Sequence, residues 1–122
     1  MGKANRNGLR YEHQAREYLQ DRGLRLLAQN FSSRYGEIDL IMRERETVCF
    51  IEVKFRKSFA YGGAASAISI SKQRKIVKTA LFYIAGRRRL ARQSLRFDAL
   101  LIQRQFDGSD RVDWIKNAFY AE

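Results

Sequence analysis

Three acidic side chains and one lysine occur at strand-like spacing within two apolar segments of the sequence. Glu37 and Asp39 lie among aliphatic residues, and Glu52 and Lys54 lie in a second segment of β-branched and aromatic residues. Acidic residues are poor strand formers, and carboxylates that face each other repel unless a cation lies between them. Mg²⁺ takes a few carboxylate oxygens, keeps several waters and accepts phosphate oxygens. The pattern therefore predicts a phosphodiester hydrolysis site.

The four side chains receive distinct roles in this interpretation. Asp39 and Glu52 hold the cation, and Lys54, two residues after Glu52 on the same strand face, stabilises phosphate charge or holds the attacking water. Glu37 either binds a second cation or turns outward. For the two strands alone, the alternative is that Glu37 and Glu52 are surface acids and Lys54 their exposed partner in a weak salt bridge.

The acidic segments are predicted to form a β-hairpin with its turn in the charged residues 43–46. If the turn is centred in the middle of these four residues, Asp39 lies opposite Phe50 and Glu37 lies opposite Glu52. Strand alternation then places Glu37 and Asp39 on one face. Asp39 and Glu52 become diagonal neighbours roughly 7–8 Å apart at the backbone, a distance that a shared cation can bridge.

Apolar periodicity predicts two helices and five strands in the order α-β-β-β-α-β-β. This order indicates one α/β domain over residues 1–122, with a mixed β-sheet flanked by helices. The predicted helices cover residues 8–21 and, capped by Ser71, residues up to about 85, and the predicted strands cover residues 24–31, 37–42, 47–55, 95–102 and 112–115, with a loop at 58–70.

The net charge of +11 is concentrated in one segment of the chain. Eleven basic residues and no acidic residue occur from Phe55 to Arg96, and this number equals the whole excess of basic over acidic residues. Such a segment predicts a polyanion-binding surface, with DNA ahead of an anionic membrane, whereas the alternative is a solvated helix face. The candidate phosphate contacts are Arg56, Lys57, Lys72, Arg74, Lys75 and Lys78.

The remaining composition excludes several other classes of protein. One cysteine, Cys49, and one histidine, His13, exclude an internal disulfide and a Cys/His zinc cluster. The absence of 18 consecutive apolar residues excludes a transmembrane helix, and the polar start lacks a secretion signal. We therefore expect a cytoplasmic protein that does not bind membranes.

The sequence closely resembles the bacterial YraN family, which belongs to the PD-(D/E)XK nuclease superfamily. The resemblance is carried by Gly36-Glu37-Ile38-Asp39-Leu40-Ile41 and Phe50-Ile51-Glu52-Val53-Lys54-Phe55-Arg56. It extends to Glu12 and its neighbours in the first helix, Asn30-Phe31, Ser71-Lys72-Gln73-Arg74, Arg96-Phe97-Asp98 and Asn117-Ala118-Phe119.

This resemblance implies a restriction-endonuclease-like core and assigns further roles. Asp39 would be the central metal-binding aspartate, Glu52 and Lys54 the E-x-K element, and the Val53 carbonyl would lie near the metal. The superfamily motif has proline before the aspartate, where this chain has Ile38.

Two further residues enter the site through the resemblance alone. The chain is also similar to archaeal Holliday-junction resolvases, which implies that Glu12 completes the acidic site. By periodicity alone, Glu12 is instead a surface residue of an amphipathic helix. Gln73 resembles a glutamine that opens a helix behind the site in some branches of the superfamily, and it is counted with the candidate nucleic-acid contacts.

Together these inferences predict an endonuclease that uses Mg²⁺, or alternatively Mn²⁺, on structured, branched or partly single-stranded DNA in repair or recombination. The alternative is a catalytically inactive nucleic-acid-binding or partner-docking module on the same fold. Because resolvases cut four-way junctions as symmetric dimers, a homodimer is expected here by analogy.

Overall fold

Two helices pack on opposite faces of a five-stranded sheet. The computed structural model describes residues 6–56 and 68–121. The elements, in chain order, are α1 (Arg6–Asp21), β1 (Arg25–Ser33), β2 (Gly36–Glu44), β3 (Thr47–Arg56), α2 (Ile70–Ala85), a 3₁₀ turn (Arg88–Leu90), β4 (Ser94–Arg104) and β5 (Asp110–Phe119). The predicted order and the α/β class are confirmed.

The strands form one mixed sheet in the spatial order β1-β2-β3-β4-β5. Among the strand pairs of the described residues, only β3–β4 is parallel, and α2 lies in the connection that a parallel pair requires. Consequently α2 begins at the side of the sheet where the carboxyl end of β3 lies. Neither of the helices in the described ranges is long and apolar enough to span a bilayer.

Most element boundaries differ from the predictions by one or two residues, and those of α2 and β5 have an evident structural cause. Helix α2 is capped by Ser69, not Ser71, because the Ser69 side chain accepts a hydrogen bond of 3.1 Å from the Lys72 backbone N–H. Strand β5 is longer than residues 112–115, because it continues through a bulge at Asn117, where φ is +55°. The predicted loop at 58–70 lies outside the described residues except at its end.

Each helix covers its own hydrophobic cluster. We call the hydrophobic cluster between α2 and the sheet the α2 cluster, and the one between α1 and the sheet the α1 cluster. Along β3, Val48 and Phe50 belong to the α2 cluster, whereas Cys49 and Ile51 belong to the α1 cluster. This is the alternation expected of a strand that is covered on both faces. Burial raises the pKa of Cys49 to about 12, so its thiol is a packing group and not a nucleophile.

The turn between β2 and β3 is centred one residue later in the chain than predicted, so the partner of each β2 residue differs from the prediction by two positions. Glu44 pairs with Thr47, so the turn contains only Arg45 and Glu46. Leu40 therefore lies opposite Ile51, and the predicted Asp39–Phe50 and Glu37–Glu52 pairs are wrong. Arg45 has a left-handed backbone with φ of +55°, a conformation for which hairpin turns usually have glycine or asparagine. Because this turn contains neither residue, the sequence does not indicate where the turn lies.

Regular alternation along β2 breaks at Asp39. Ile38 and Ile41 both pack with the α2 cluster, whereas Leu40 packs with the α1 cluster. On the neighbouring strand, Asn30 has a left-handed backbone with φ of +53°. The predicted shared face of Glu37 and Asp39 was derived from uninterrupted alternation, which β2 does not keep. The irregularity lets side chains from both helix layers reach Asp39.

Candidate active site

A cavity of about 190 Å³ lies where β3 ends and both helices begin. Residues from four elements line this acidic cavity, so the tertiary fold creates it. The lining residues are Gly8, Tyr11 and Glu12 of α1, Asp39 of β2, Glu52, Val53, Lys54 and Phe55 of β3, and Lys72 of α2.

Asp39 is held at the point where the regular β2–β3 pairing stops. Its Oδ2 accepts a hydrogen bond of 2.9 Å from the Val53 backbone N–H, which satisfies a backbone donor with a side-chain carboxyl. Burial, followed by repulsion from Glu52, raises the pKa of Asp39 well above its usual range. Val53, the predicted carbonyl ligand, thus lies beside the predicted central aspartate.

Glu52 extends from β3 into the same cavity and is only 4% exposed. The Lys72 ammonium contacts Glu52 Oε2, and Lys54 Nζ lies 3.9 Å from the same oxygen. Partial burial, and then the charge of Lys72, lower the pKa of Lys54. Burial also opposes the charge on Lys72, but its hydrogen bond to Glu52 raises the pKa overall. Both lysines therefore lie beside the buried Glu52 carboxylate, whereas the sequence analysis had placed only Lys54 next to Glu52.

Glu12 of α1 is 7% exposed, contrary to the surface position that periodicity favours. It lines the cavity together with Asp39 and Glu52, in the arrangement that the resemblance implies. Glu12 Oε1 has no hydrogen-bond partner among the described residues. Burial raises the pKa of Glu12, although a side-chain hydrogen bond with Asn30 opposes this effect.

Asn30 is a site residue that the sequence analysis did not assign. Its left-handed backbone in β1 accompanies the side-chain interaction with Glu12. Asparagine tolerates this backbone conformation better than most residues, and such conformations cluster at functional sites. The available signals were a poor strand former inside a predicted strand and its place in the Asn30-Phe31 segment.

Aromatic residues form the apolar wall of the cavity. The Tyr11 and Phe55 rings are stacked with centroids 3.8 Å apart, and Arg104 Nη2 donates a hydrogen bond of 3.2 Å to the Tyr11 hydroxyl. This wall places apolar surface beside the carboxyl groups. It thereby contributes the low-dielectric surroundings in which charges interact strongly.

The donor set fits a hard divalent cation. No three His, Cys, Asp or Glu side chains within residues 6–56 and 68–121 are already arranged as a metal site. However, Mg²⁺ needs only one or two carboxylates, because waters and substrate oxygens complete its coordination. The unpartnered Glu12 oxygen and the mutual repulsion of Asp39 and Glu52 are both features that a cation would relieve.

Two other predicted site residues are not among those that line the cavity. Glu37 is exposed, and its Oε2 accepts a hydrogen bond of 3.3 Å from the Ser32 hydroxyl. Gln73 Nε2 donates a hydrogen bond of 3.0 Å to the Ile68 carbonyl, so it anchors the segment that leads into α2.

The predicted phosphate contacts separate into different environments. Arg74, Lys75 and Lys78 are exposed on α2, and Arg56 is half-buried at the end of β3. Lys72 instead lines the acidic cavity, and Lys57 lies outside the described residues.

Arg96, the last basic residue of the acid-free segment, does not contribute to an exposed basic surface. Its side chain is 13% exposed and forms ion pairs with Asp98 and Glu44. The segment's charge is therefore partly neutralised by acidic residues from other parts of the chain.

The acidic cavity predicts a specific dependence of stability on pH. A raised Asp39 pKa means that the folded state binds this proton more tightly than the unfolded state. The stabilisation is complete below the unfolded pKa of about 4 and is lost as the pH rises through the folded value. We therefore compare the free energy of unfolding of Asp39→Asn with that of the native chain in chelator. Raising the pH from about 5 to about 8 should shift this difference in favour of the variant by more than about 1 kcal/mol.

Urea unfolding followed by circular dichroism measures this difference at both pH values. Glu46→Gln, which removes an exposed acid in the β2–β3 turn, should show no such gain. An Asp39→Asn difference that is the same at both pH values would contradict the electrostatic description of the cavity.

The comparison with known proteins identifies the family. The model of "Uncharacterised protein family UPF0102" matches residues 11–102. The chain is 42% identical over 121 residues to a UPF0102 protein of Ectopseudomonas mendocina, covering 99% of this chain and 100% of that protein. It is 41% identical over 111 residues to one of Vibrio parahaemolyticus, covering 91% and 89%. A Psychromonas ingrahamii relative is 46% identical over 117 residues, covering 95% and 91%. The chain therefore belongs to family UPF0102, the YraN-like family that its motifs predicted.

Proposed function

We propose that this protein is a metal-dependent endonuclease that hydrolyses phosphodiester bonds in structured or branched DNA. The observation that carries the proposal is the convergence of three carboxyl groups, Glu12, Asp39 and Glu52, in one cavity beside Lys54 and Lys72. This arrangement agrees with the acidic site and E-x-K element expected of the PD-(D/E)XK superfamily, to which we assign the chain.

The energetics of the cavity favour a functional role. Clustering carboxyl groups away from water is unfavourable because of desolvation and mutual repulsion, and the raised pKa of Asp39 reflects both. An apolar cluster in the same place would stabilise the fold better. Strongly perturbed titratable groups that line a cavity are typical of catalytic sites.

In this proposal Asp39, Glu52 and the Glu12 carboxyl hold Mg²⁺ or Mn²⁺, with Val53 at the same cavity wall. A cation held there would supply Lewis-acid chemistry, which would polarise the phosphate and activate a water. Lys54 holds positive charge where negative charge develops on the phosphate oxygens. Lys72 orients Glu52 through their ion pair.

A nucleic acid is the class of substrate that the charge distribution favours. The exposed face of α2 carries Arg74, Lys75 and Lys78, and α2 also brings Lys72 into the cavity. A phosphate backbone that contacts this face would thus lead directly to the carboxyl groups. Backbone contacts of this kind suit recognition of DNA shape more than of base sequence.

One observation favours the alternative, a catalytically inactive nucleic-acid-binding or partner-docking module. The Lys72 ammonium already contacts Glu52 and offsets part of the negative charge that a metal would otherwise neutralise. In such a module the acidic cavity would be structural, and DNA binding would depend on the basic face of α2.

A cleavage assay separates the two functions. Labelled duplex, single-stranded, flapped and four-way-junction DNA are incubated with Mg²⁺, Mn²⁺ or chelator, using the native chain, Glu52→Gln and the exposed control Glu46→Gln. The proposal predicts cleavage of at least one structure by the native chain and the control, and none by Glu52→Gln or in chelator. Salt-sensitive binding to all four DNAs without metal-dependent cleavage would support the inactive module instead.

A further inference from the structure

A second concave surface lies at the other end of α2 from the acidic cavity. This arginine cleft has a volume of about 540 Å³, and none of its lining residues in the described chain is acidic. It is lined by Leu27, Arg43, Arg87, Arg88, Arg89, Leu90 and Gln93.

Two of the four guanidinium groups are held in place by the fold. Arg87 Nη1 donates a hydrogen bond of 3.0 Å to the Tyr83 carbonyl, and its guanidinium lies over the Tyr83 ring, 3.8 Å from the centroid. Arg43 Nε donates a hydrogen bond of 2.8 Å to the Arg45 carbonyl. These contacts leave further N–H donors on both groups and reduce the entropy lost when a ligand binds.

The other two guanidinium groups, of Arg88 and Arg89, are exposed on the 3₁₀ turn that follows α2. Four like charges around one concavity create a positive potential that attracts an anion. Guanidinium groups bind phosphate oxygens through paired hydrogen bonds, which makes phosphate the matching ligand.

We propose that the arginine cleft binds backbone phosphates of the nucleic acid at a second position, remote from the acidic cavity. This inference rests on the nucleic-acid binding in the proposed function. The 16 residues of α2 separate the two positions by ~24 Å at 1.5 Å per residue. That distance corresponds to about seven phosphates of one extended duplex strand at 3.4 Å each.

The basic face of α2 favours a polymer over a free nucleotide as the ligand. Arg74, Lys75 and Lys78 are exposed on the helix that joins the two positions. One strand can thus contact positive charge from the acidic cavity onward, whereas a free nucleotide would occupy only one end.

The test compares two variants that each remove two positive charges. Arg88→Gln/Arg89→Gln removes the exposed charges of the cleft. Arg22→Gln/Arg111→Gln removes two exposed charges outside it. Fluorescence anisotropy measures the affinity of each variant for a labelled duplex of about 20 base pairs, at several salt concentrations, with chelator present. Thermal unfolding confirms that both variants fold.

We expect Arg88→Gln/Arg89→Gln to bind at least ~5-fold more weakly and to lower the slope of log affinity against log salt by about 2. The control should keep the native slope. Native affinity and slope in the cleft variant, or an equal change in the control, would overturn the inference while leaving the proposed function intact. A native chain that does not bind any DNA would overturn both.

Discussion

Replacing Asp39 by asparagine is expected to lower the rate of DNA cleavage by at least ~1,000-fold, equivalent to about 4 kcal/mol of transition-state stabilisation. The substitution keeps the shape of the side chain and an oxygen that can accept the Val53 N–H. It removes the negative charge on which cation binding depends. The rate should be measured in single turnover with saturating enzyme, so that chemistry is separated from DNA binding.

DNA affinity should change little in the same variant. Asp39 is half-buried and lines the cavity, whereas the exposed basic residues of α2 lie outside it. We expect a change in Kd of less than about 3-fold, with Glu46→Gln as the charge-matched control for both measurements. Cleavage by Asp39→Asn at more than about a tenth of the native rate would contradict a role for this carboxyl group in catalysis.

Replacing Asp98 by asparagine is expected to lower the free energy of unfolding by about 3–5 kcal/mol. The Asp98 side chain is fully buried on β4. Its carboxylate accepts hydrogen bonds from Arg96 Nε at 2.9 Å, from Trp114 Nε1 at 3.0 Å and from the Asn117 backbone N–H at 3.1 Å. The side-chain amide of asparagine would place its own N–H groups against some of these donors, where no hydrogen bond can form. It would also leave the charge of Arg96 only partly paired.

The Asp98 cluster explains how two separate segments of the family resemblance are connected. The β4–β5 register shifts between Phe97 and Ala99, and Asn117 has φ of +55° at this bulge. A bulge removes a backbone N–H from the regular ladder, and the Asp98 carboxylate accepts that N–H instead. The Arg96-Phe97-Asp98 and Asn117-Ala118-Phe119 segments therefore stabilise the sheet.

The matched control for this prediction is Asp113→Asn on the adjacent strand. Asp113 pairs with Arg111 at 3.2 Å, but its side chain is 40% exposed, so its loss should cost less than about 1 kcal/mol. Urea unfolding followed by circular dichroism compares the two variants. Equal destabilisation by Asp98→Asn and Asp113→Asn would contradict the structural role of the buried cluster.

The parts of the fold that depend on local patterns could be predicted from the sequence. Apolar periodicity and turn residues gave the order of helices and strands. Spacing by two residues correctly placed Glu52 and Lys54 on one side of β3, where both line the cavity. Burial of Glu12 was accessible only through the family resemblance, because periodicity favours a surface position.

Features that depend on irregular backbone could not be predicted. The exchange of faces at Asp39 accompanies a left-handed Asn30 on the neighbouring strand, and the hairpin turn has a left-handed arginine, Arg45, without a glycine signal. Arg96 pairs with Glu44, which is distant in the chain, and with Asp98, which lies just beyond the acid-free segment. A count of charges within that segment therefore assigned Arg96 to the exposed basic surface.

The most direct test of the central claim is a titration of Mn²⁺ into the metal-free chain, because cation binding can be measured before the DNA substrate is known. Isothermal titration calorimetry would compare the native chain with Asp39→Asn, Glu52→Gln and the control Glu46→Gln. We predict saturable Mn²⁺ binding by the native chain and the control, and at least ~10-fold weaker binding by the two cavity variants. Binding that is undiminished in both cavity variants, or that is absent from the native chain, would contradict the assignment of the acidic cavity as a metal site.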